Sequence, residues 1–284
     1  MRGEFVDLDG VRLYCYAFGQ RGVGHPIVLV HGSFTSSHLW QDVLPRLPKG
    51  HRVLVLDLLG HGRSDPPGTH AMTVAAHAAR LERLLDVMGV REVMLVGHGM
   101  GAAIAARVAH EHPERIAHLM LVNPTLLAGN AAEGLLNRRV RRVASMVWLW
   151  KRLAPAWLAS ALHSVLLPCF AHRDTGARSL DVYLKPFRLR EGRDAACAQL
   201  SALQRSRGDT VEALASGAIR CPTALVLGDS DPFLDDARSA RVMDWVKTAT
   251  NGTATVHTLP GVAHVAPEEA PDRLGTLVGE LISR

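Results

Sequence analysis

The sequence predicts an α/β protein: a mostly parallel, doubly wound sheet with an all-helical insertion. Three observations carry this. Short, nearly continuous apolar runs recur along the chain, and segments of helical spacing lie between them. The alternation halts once, between about Pro124 and Gly217, and then resumes at Cys221-Pro222. With 48% hydrophobic and 21% charged residues in 284, the chain has the composition of a globular protein with a full core.

The first two runs, Glu4–Leu8 and Val11–Ala17, flank Asp9-Gly10, a two-residue hairpin signal, so the sheet should begin antiparallel. Strands are then expected at Pro26–Val30, Arg52–Asp57, Glu92–Val96, His118–Val122, Thr223–Leu227 and Thr255–Leu259. Apolar runs of this length fit strands buried on both faces, as in parallel sheets. Helices are expected at Val74–Met88, Met100–His112, Asp236–Thr248 and Pro267–Ile282. Residues 1–124 and 216–284 thus form the expected core. The segment 125–215, rich in Leu, Ala, Arg and Trp (Trp148, Trp150, Trp157), reads as a helical cap over the carboxyl ends of the strands, where such sheets bind ligands.

Several function classes are excluded at this level. Arg138, Arg139, Arg141, Arg142, Lys151 and Arg152 give a local +6 within a net charge of +5, leaving −1 for everything else. The basicity is therefore one patch, read as a solvated helix face, and not a general field for nucleic acid. Val143–Trp150, the longest apolar run in the middle of the chain, falls far short of the ~20 residues of a membrane span. Met1-Arg2-Gly3-Glu4-Phe5-Val6-Asp7 has no apolar stretch, so no secretory signal is expected. Cys15, Cys169, Cys197 and Cys221 have no paired spacing, hence no zinc site and no disulfide framework. The expectation is a cytoplasmic protein acting on a small molecule, with a homodimer as candidate assembly. No metal is expected: there is no His-Glu-x-x-His and no Walker pattern. Nor is a dinucleotide or flavin cofactor expected, because Gly97-His98-Gly99-Met100-Gly101-Ala102 lacks the third glycine of that motif.

The chemistry-bearing residues fall at strand ends. His31-Gly32-Ser33-Phe34 follows the first parallel strand and Gly60-His61-Gly62-Arg63-Ser64-Asp65 the second. Gly97-His98-Gly99-Met100-Gly101 follows the third and opens a helix. Gly228-Asp229-Ser230-Asp231-Pro232 and Leu259-Pro260-Gly261-Val262-Ala263-His264 follow the last two strands. This ordered set resembles the α/β-hydrolase family, over residues 4–124 and 218–284.

One position departs from the family pattern. The family's elbow reads Gly-x-Ser-x-Gly, with the nucleophile on a sharp strand-to-helix turn. Here the nucleophile position is Gly99. The resemblance makes Asp231 the acid and His264 the base, and it assigns an oxyanion hole to the backbone N–H groups of Ser33 and Met100. His31, Phe34, His98, Trp148, Trp150 and Val265 are candidate pocket residues. His31 and His61 also have a plain reading as loop-bracing histidines, and Asp229 as a turn residue.

Three accounts of Gly99 follow. In the first, the chain is an ester or carbon–carbon bond hydrolase of the serine type whose nucleophile has been replaced. In the second it is a natural enzyme, a lyase, epimerase, cyclase or cofactor-free oxygenase by resemblance, in which His264 and Asp231 act as a general base. In the third it is a non-catalytic binder of a small ligand, which the retained pair Asp231 and His264 argues against.

Overall fold

The computed structural model describes residues 3–19, 24–125, 135–152, 155–205 and 219–284. Eight strands form one sheet: β1 (Glu4–Asp7), β2 (Arg12–Phe18), β3 (Ile27–Val30), β4 (Val53–Leu56), β5 (Val93–His98), β6 (Ile116–Val122), β7 (Thr223–Gly228) and β8 (Thr255–Leu259). Their spatial order is β1-β2-β4-β3-β5-β6-β7-β8. The β1–β2 and β2–β4 pairings are antiparallel and the remaining ones parallel. The hairpin turns at Asp9 (φ 58°) and Gly10 (φ 93°), the double positive φ that a two-residue turn requires. Asp7 Oδ1 accepts from the Gly10 N–H at 2.9 Å and closes it.

Helices α1 (Val74–Val87), α2 (Met100–Glu111) and α8 (Asp236–Ala249) contribute to the core on one face of the sheet. Between β6 and β7 lie α3 (Leu135–Ser145), α4 (Val147–Trp150), α5 (Pro155–Leu166), α6 (Arg173–Leu184) and α7 (Arg190–Arg205). The chain ends in α9 (Ala266–Glu269) and α10 (Pro271–Ile282), which bury Leu274, Leu277, Val278 and Leu281 against the opposite face. One continuous helix over Pro267–Ile282 is not what forms. Pro271 has no N–H and splits it after Glu269.

The edge strand β8 also departs from expectation. It is not buried on both faces: its side chains alternate, Val256 is exposed, and it pairs with β7 alone. The central strands β3, β4 and β5 are buried throughout. No described helix is long and apolar enough to cross a membrane. In the basic stretch, Arg139, Arg142, Lys151 and Arg152 are exposed, while the side chains of Arg138 and Arg141 lie outside the described residues, as does the expected cap boundary at 215/216.

The helices between β6 and β7 pack on the loops that follow β3 and β4. Leu158, Leu162, Phe170, Tyr183, Phe187 and Leu200 share one apolar core with Phe34 and Trp40 from the loop after β3. Gln199 of α7 reaches down between two loops: its Nε2 donates to Gly60 O at 2.8 Å, and its Oε1 accepts from Phe34 N at 3.3 Å. Cys169 O accepts from the His264 N–H at 3.0 Å.

Candidate active site

Gly99 sits where β5 gives way to α2, at φ 56° and ψ −117°, a conformation that side chains avoid and glycine adopts freely. The close approach of strand and helix explains the flanking glycines. A Cβ on Gly97 would lie 2.2 Å from Gly101 O, and one on Gly101 would lie 2.3 Å from Val30 O. Neither position has room for a side chain. Gly99 is different: the nearest atoms to a Cβ there are His264 Nε2 at 3.4 Å, Gly32 Cα at 3.6 Å and His264 Cε1 at 3.8 Å, ordinary contact distances. A side chain at this position would have both space and direction, and the direction is toward the imidazole.

His264 Nδ1 lies 2.8 Å from Asp231 Oδ2. The Asp231 side chain is wholly buried, and its other oxygen accepts from Phe233 N at 2.8 Å. A carboxylate only accepts, so Nδ1 carries the proton and the Nε2 lone pair faces Gly99. The imidazole is edged by the Phe233 ring at 4.8 Å.

The main chain of His264 is held from several sides. His98 Nε2 donates to His264 O at 2.8 Å, and Asn123 Nδ2 donates to the same oxygen and to Ala263 O, both at 2.8 Å. Asn123 Oδ1 in turn accepts from Gly228 N at 2.7 Å. His98 therefore lies beneath the elbow as a brace. Burial pushes its pKa down to about 3, which keeps it neutral.

Other sequence-predicted residues fall in different places. His31 is a brace, since Nδ1 donates to Gly32 O at 2.8 Å, Nε2 accepts from Leu58 N at 3.0 Å, and burial lowers its pKa to about 4. Phe34 packs edge-on against Phe187, and Val265 is buried in the same core. Trp150 donates from Nε1 to Val143 O at 2.8 Å within the cap. Trp148 corrects the expectation outright: at 63% exposed it faces solvent, as does Trp157 at 65%. Ser33 and Met100 do meet, Ser33 Oγ lying 3.4 Å from Met100 Sδ. Among the described residues, no hydrogen bond takes up the Ser33 or Met100 N–H. Asn123 and Gln199 were not anticipated. The one sequence trace of Gln199 is a polar residue within the apolar run Ala195–Leu200.

A sequence profile of the alpha/beta hydrolase fold matches residues 25–271. The chain belongs to that family. The 2-hydroxymuconate semialdehyde hydrolase of Pseudomonas sp. (strain CF600) is 27% identical over 269 residues, covering 92% of this chain and 88% of the relative. An uncharacterised protein of Mycobacterium tuberculosis is 37% identical over 110 residues, 39% of this chain. The match spans 32% of that relative, so the chain corresponds to about a third of its length. An alpha/beta hydrolase fold protein from Burkholderia ambifaria superposes with a TM-score of 0.81 at 24% identity, covering 99% of this chain and 97% of the other.

Proposed function

We propose that the chain is built as a serine-type hydrolase of small, largely apolar carbonyl compounds, esters or carbon–carbon bond substrates, and stands without its nucleophile. The observation that carries this is the space at Gly99: a Cβ fits there and points at His264 Nε2, 3.4 Å away. Asp231 orients the base through the 2.8 Å contact with Nδ1. The Ser33 and Met100 N–H groups are assigned as the oxyanion hole, where fixed donors stabilise the charge developing on the carbonyl oxygen. Residues 125–215 act as the cap that keeps water from the bound substrate. On this reading the chain binds intact esters and turns them over poorly.

The same geometry favours a second, slower route. A water beside Gly99 gives its proton to His264 Nε2 while its oxygen bonds to the carbonyl carbon. The imidazolium then protonates the leaving alkoxide as the carbon–oxygen bond breaks. Titration of the chain with a short apolar ester, followed calorimetrically and by product release, tests both routes. Saturable binding with little turnover supports the first reading. Absence of binding overturns it, and turnover abolished by His264→Ala moves the assignment to the second.

A further inference from the structure

Four of the seven large hydrophobic side chains exposed among the described residues lie between β6 and β7: Trp148, Trp157, Val182 and Leu189. The helix α4 shows how its tryptophan comes to be there. Val147 and Trp150 turn inward and pack against the core shared with the loop after β3. Trp148 is left on the other side. Lys151 and Arg152 follow it by three and four residues, the spacing that sets side chains together on a helix, and both are exposed. Arg152 Nη1 donates to Trp148 O at 2.9 Å. Immediately upstream, α3 adds the exposed Arg139 and Arg142, and Trp157 stands in the first turn of α5, which packs on α4.

The charge around these rings has one sign. The sequence holds no Asp or Glu from Gly134 to Arg173. Among the described residues, none of Arg139, Arg142, Lys151 and Arg152 is in an ion pair. Hydration accounts for exposed cations but not for exposed indoles, whose rings gain by leaving water. At the headgroup level of a bilayer an indole ring meets apolar groups while its N–H stays hydrated, and cations beside it meet the negative headgroups. We propose that the exposed side of α4 and the start of α5, with Arg139 and Arg142, docks on an anionic phospholipid surface. The aliphatic Val182 and Leu189, exposed in the same segment, suit lipid and neither stack on bases nor pair with phosphates. Docking needs neither residue 99 nor the proposed hydrolase chemistry, so it stands or falls on its own.

Co-sedimentation of the full chain with vesicles of phosphatidylcholine, alone or with about 30% phosphatidylglycerol, tests this at about 0.1 M salt. Binding to the mixed vesicles should be about tenfold tighter or more than to the neutral ones, and tryptophan emission should move to shorter wavelength. It should be lost at about 1 M salt, where the screening length drops to about 3 Å. Lys151→Gln with Arg152→Gln should weaken binding about 25-fold, roughly fivefold for each cation held near the surface. Trp148→Ala with Trp157→Ala should weaken it about tenfold or more and abolish the emission shift. Arg220→Gln with Arg284→Gln removes the same two charges elsewhere and should leave affinity within about twofold. Should the tryptophan variant melt early by circular dichroism, Lys151→Glu with Arg152→Glu carries the test. No binding to either vesicle, equal binding to both, or a control pair that weakens binding as much as the Lys151 and Arg152 pair overturns the proposal. So does tighter binding of a single-stranded oligonucleotide at the same salt. A dimer in solution that the tryptophan variant splits into monomers also overturns it, because a second copy then covers this face.

Discussion

Gly99→Ser puts the proposed function to its sharpest test. The new Cβ would stand 3.4 Å from His264 Nε2, and a hydroxyl one bond further on falls within the roughly 2.6–3.2 Å reach of a nucleophile–base hydrogen bond. The base is already aligned, with Asp231 at 2.8 Å behind it. Losing the nucleophile of such a triad costs about 10⁶ in turnover, and binding with the oxyanion hole leaves ~10³–10⁴ over water. Restoring it should therefore raise aryl ester hydrolysis by about 10³-fold or more. A serine must also adopt φ 56° and ψ −117°, which costs about 1–3 kcal/mol and lowers the melting temperature by several degrees. The assay is release of p-nitrophenol from acetate and butyrate esters by the parent, Gly99→Ser, and Gly99→Ser combined with His264→Ala. The gain should vanish in the double variant. A Gly99→Ser protein that folds, binds ester and hydrolyses it no faster than the parent refutes the assignment of His264 as a base waiting for a nucleophile.

Further outcomes follow from the same geometry. In the Gly99→Ser background, Asp231→Asn should lower kcat by about 10⁴ with little change in KM, because the imidazole loses its orienting acceptor. Stopped assays over a range of ester concentrations read this directly. Gly97→Ala should destabilise the fold by about 1–3 kcal/mol or more, since its Cβ meets Gly101 O at 2.2 Å; a urea midpoint close to that of the parent would contradict the close-approach argument. Stability should also fall steeply in acid. His31, His61 and His98 have folded pKa values near 4, 3 and 3, below the ordinary 6.5. Their contribution is thus complete above about pH 6.5 and is lost as pH falls toward 4, where the unfolded chain takes up protons first. Each loses about 1.4 kcal/mol per pH unit, and three together match a typical 5–15 kcal/mol stability within a few units. Urea midpoints that stay flat from neutral pH to about pH 5 would contradict this.

The parts of this molecule that were legible in the sequence are those governed by local pattern. Central strands such as Val93–Val96 read correctly because both faces are covered, which leaves a run of apolar residues. The elbow was visible because its glycines recur at fixed spacing at the end of an apolar run and the start of a helix. The edge strand was misread because pairing on one side only is a property of the sheet and not of Thr255–Leu259 itself. Trp148 faces outward because only the docking of the four-residue α4 decides which of its faces is covered. Asn123 and Gln199 escaped for a related reason. Their partners, His264 and Gly60, lie 141 and 139 residues away, and no spacing rule reaches that far.

The clamping of His264 through its main chain has an evolutionary consequence. His98, Asn123 and Cys169 fix the peptide, and Asp231 fixes the ring, so none of these contacts passes through residue 99. Under the proposed function that position carries the chemistry, while the contacts that hold the base run through other residues. Glycine and serine codons of the GGC and AGC kind differ by one base, so under the proposed function a single substitution there would switch covalent catalysis off or on while the base stays clamped, at the cost of a side chain held at φ 56°. On that function a lineage with this arrangement could pass through a ligand-binding form and return to hydrolysis, its base held in register by His98, Asn123, Cys169 and Asp231.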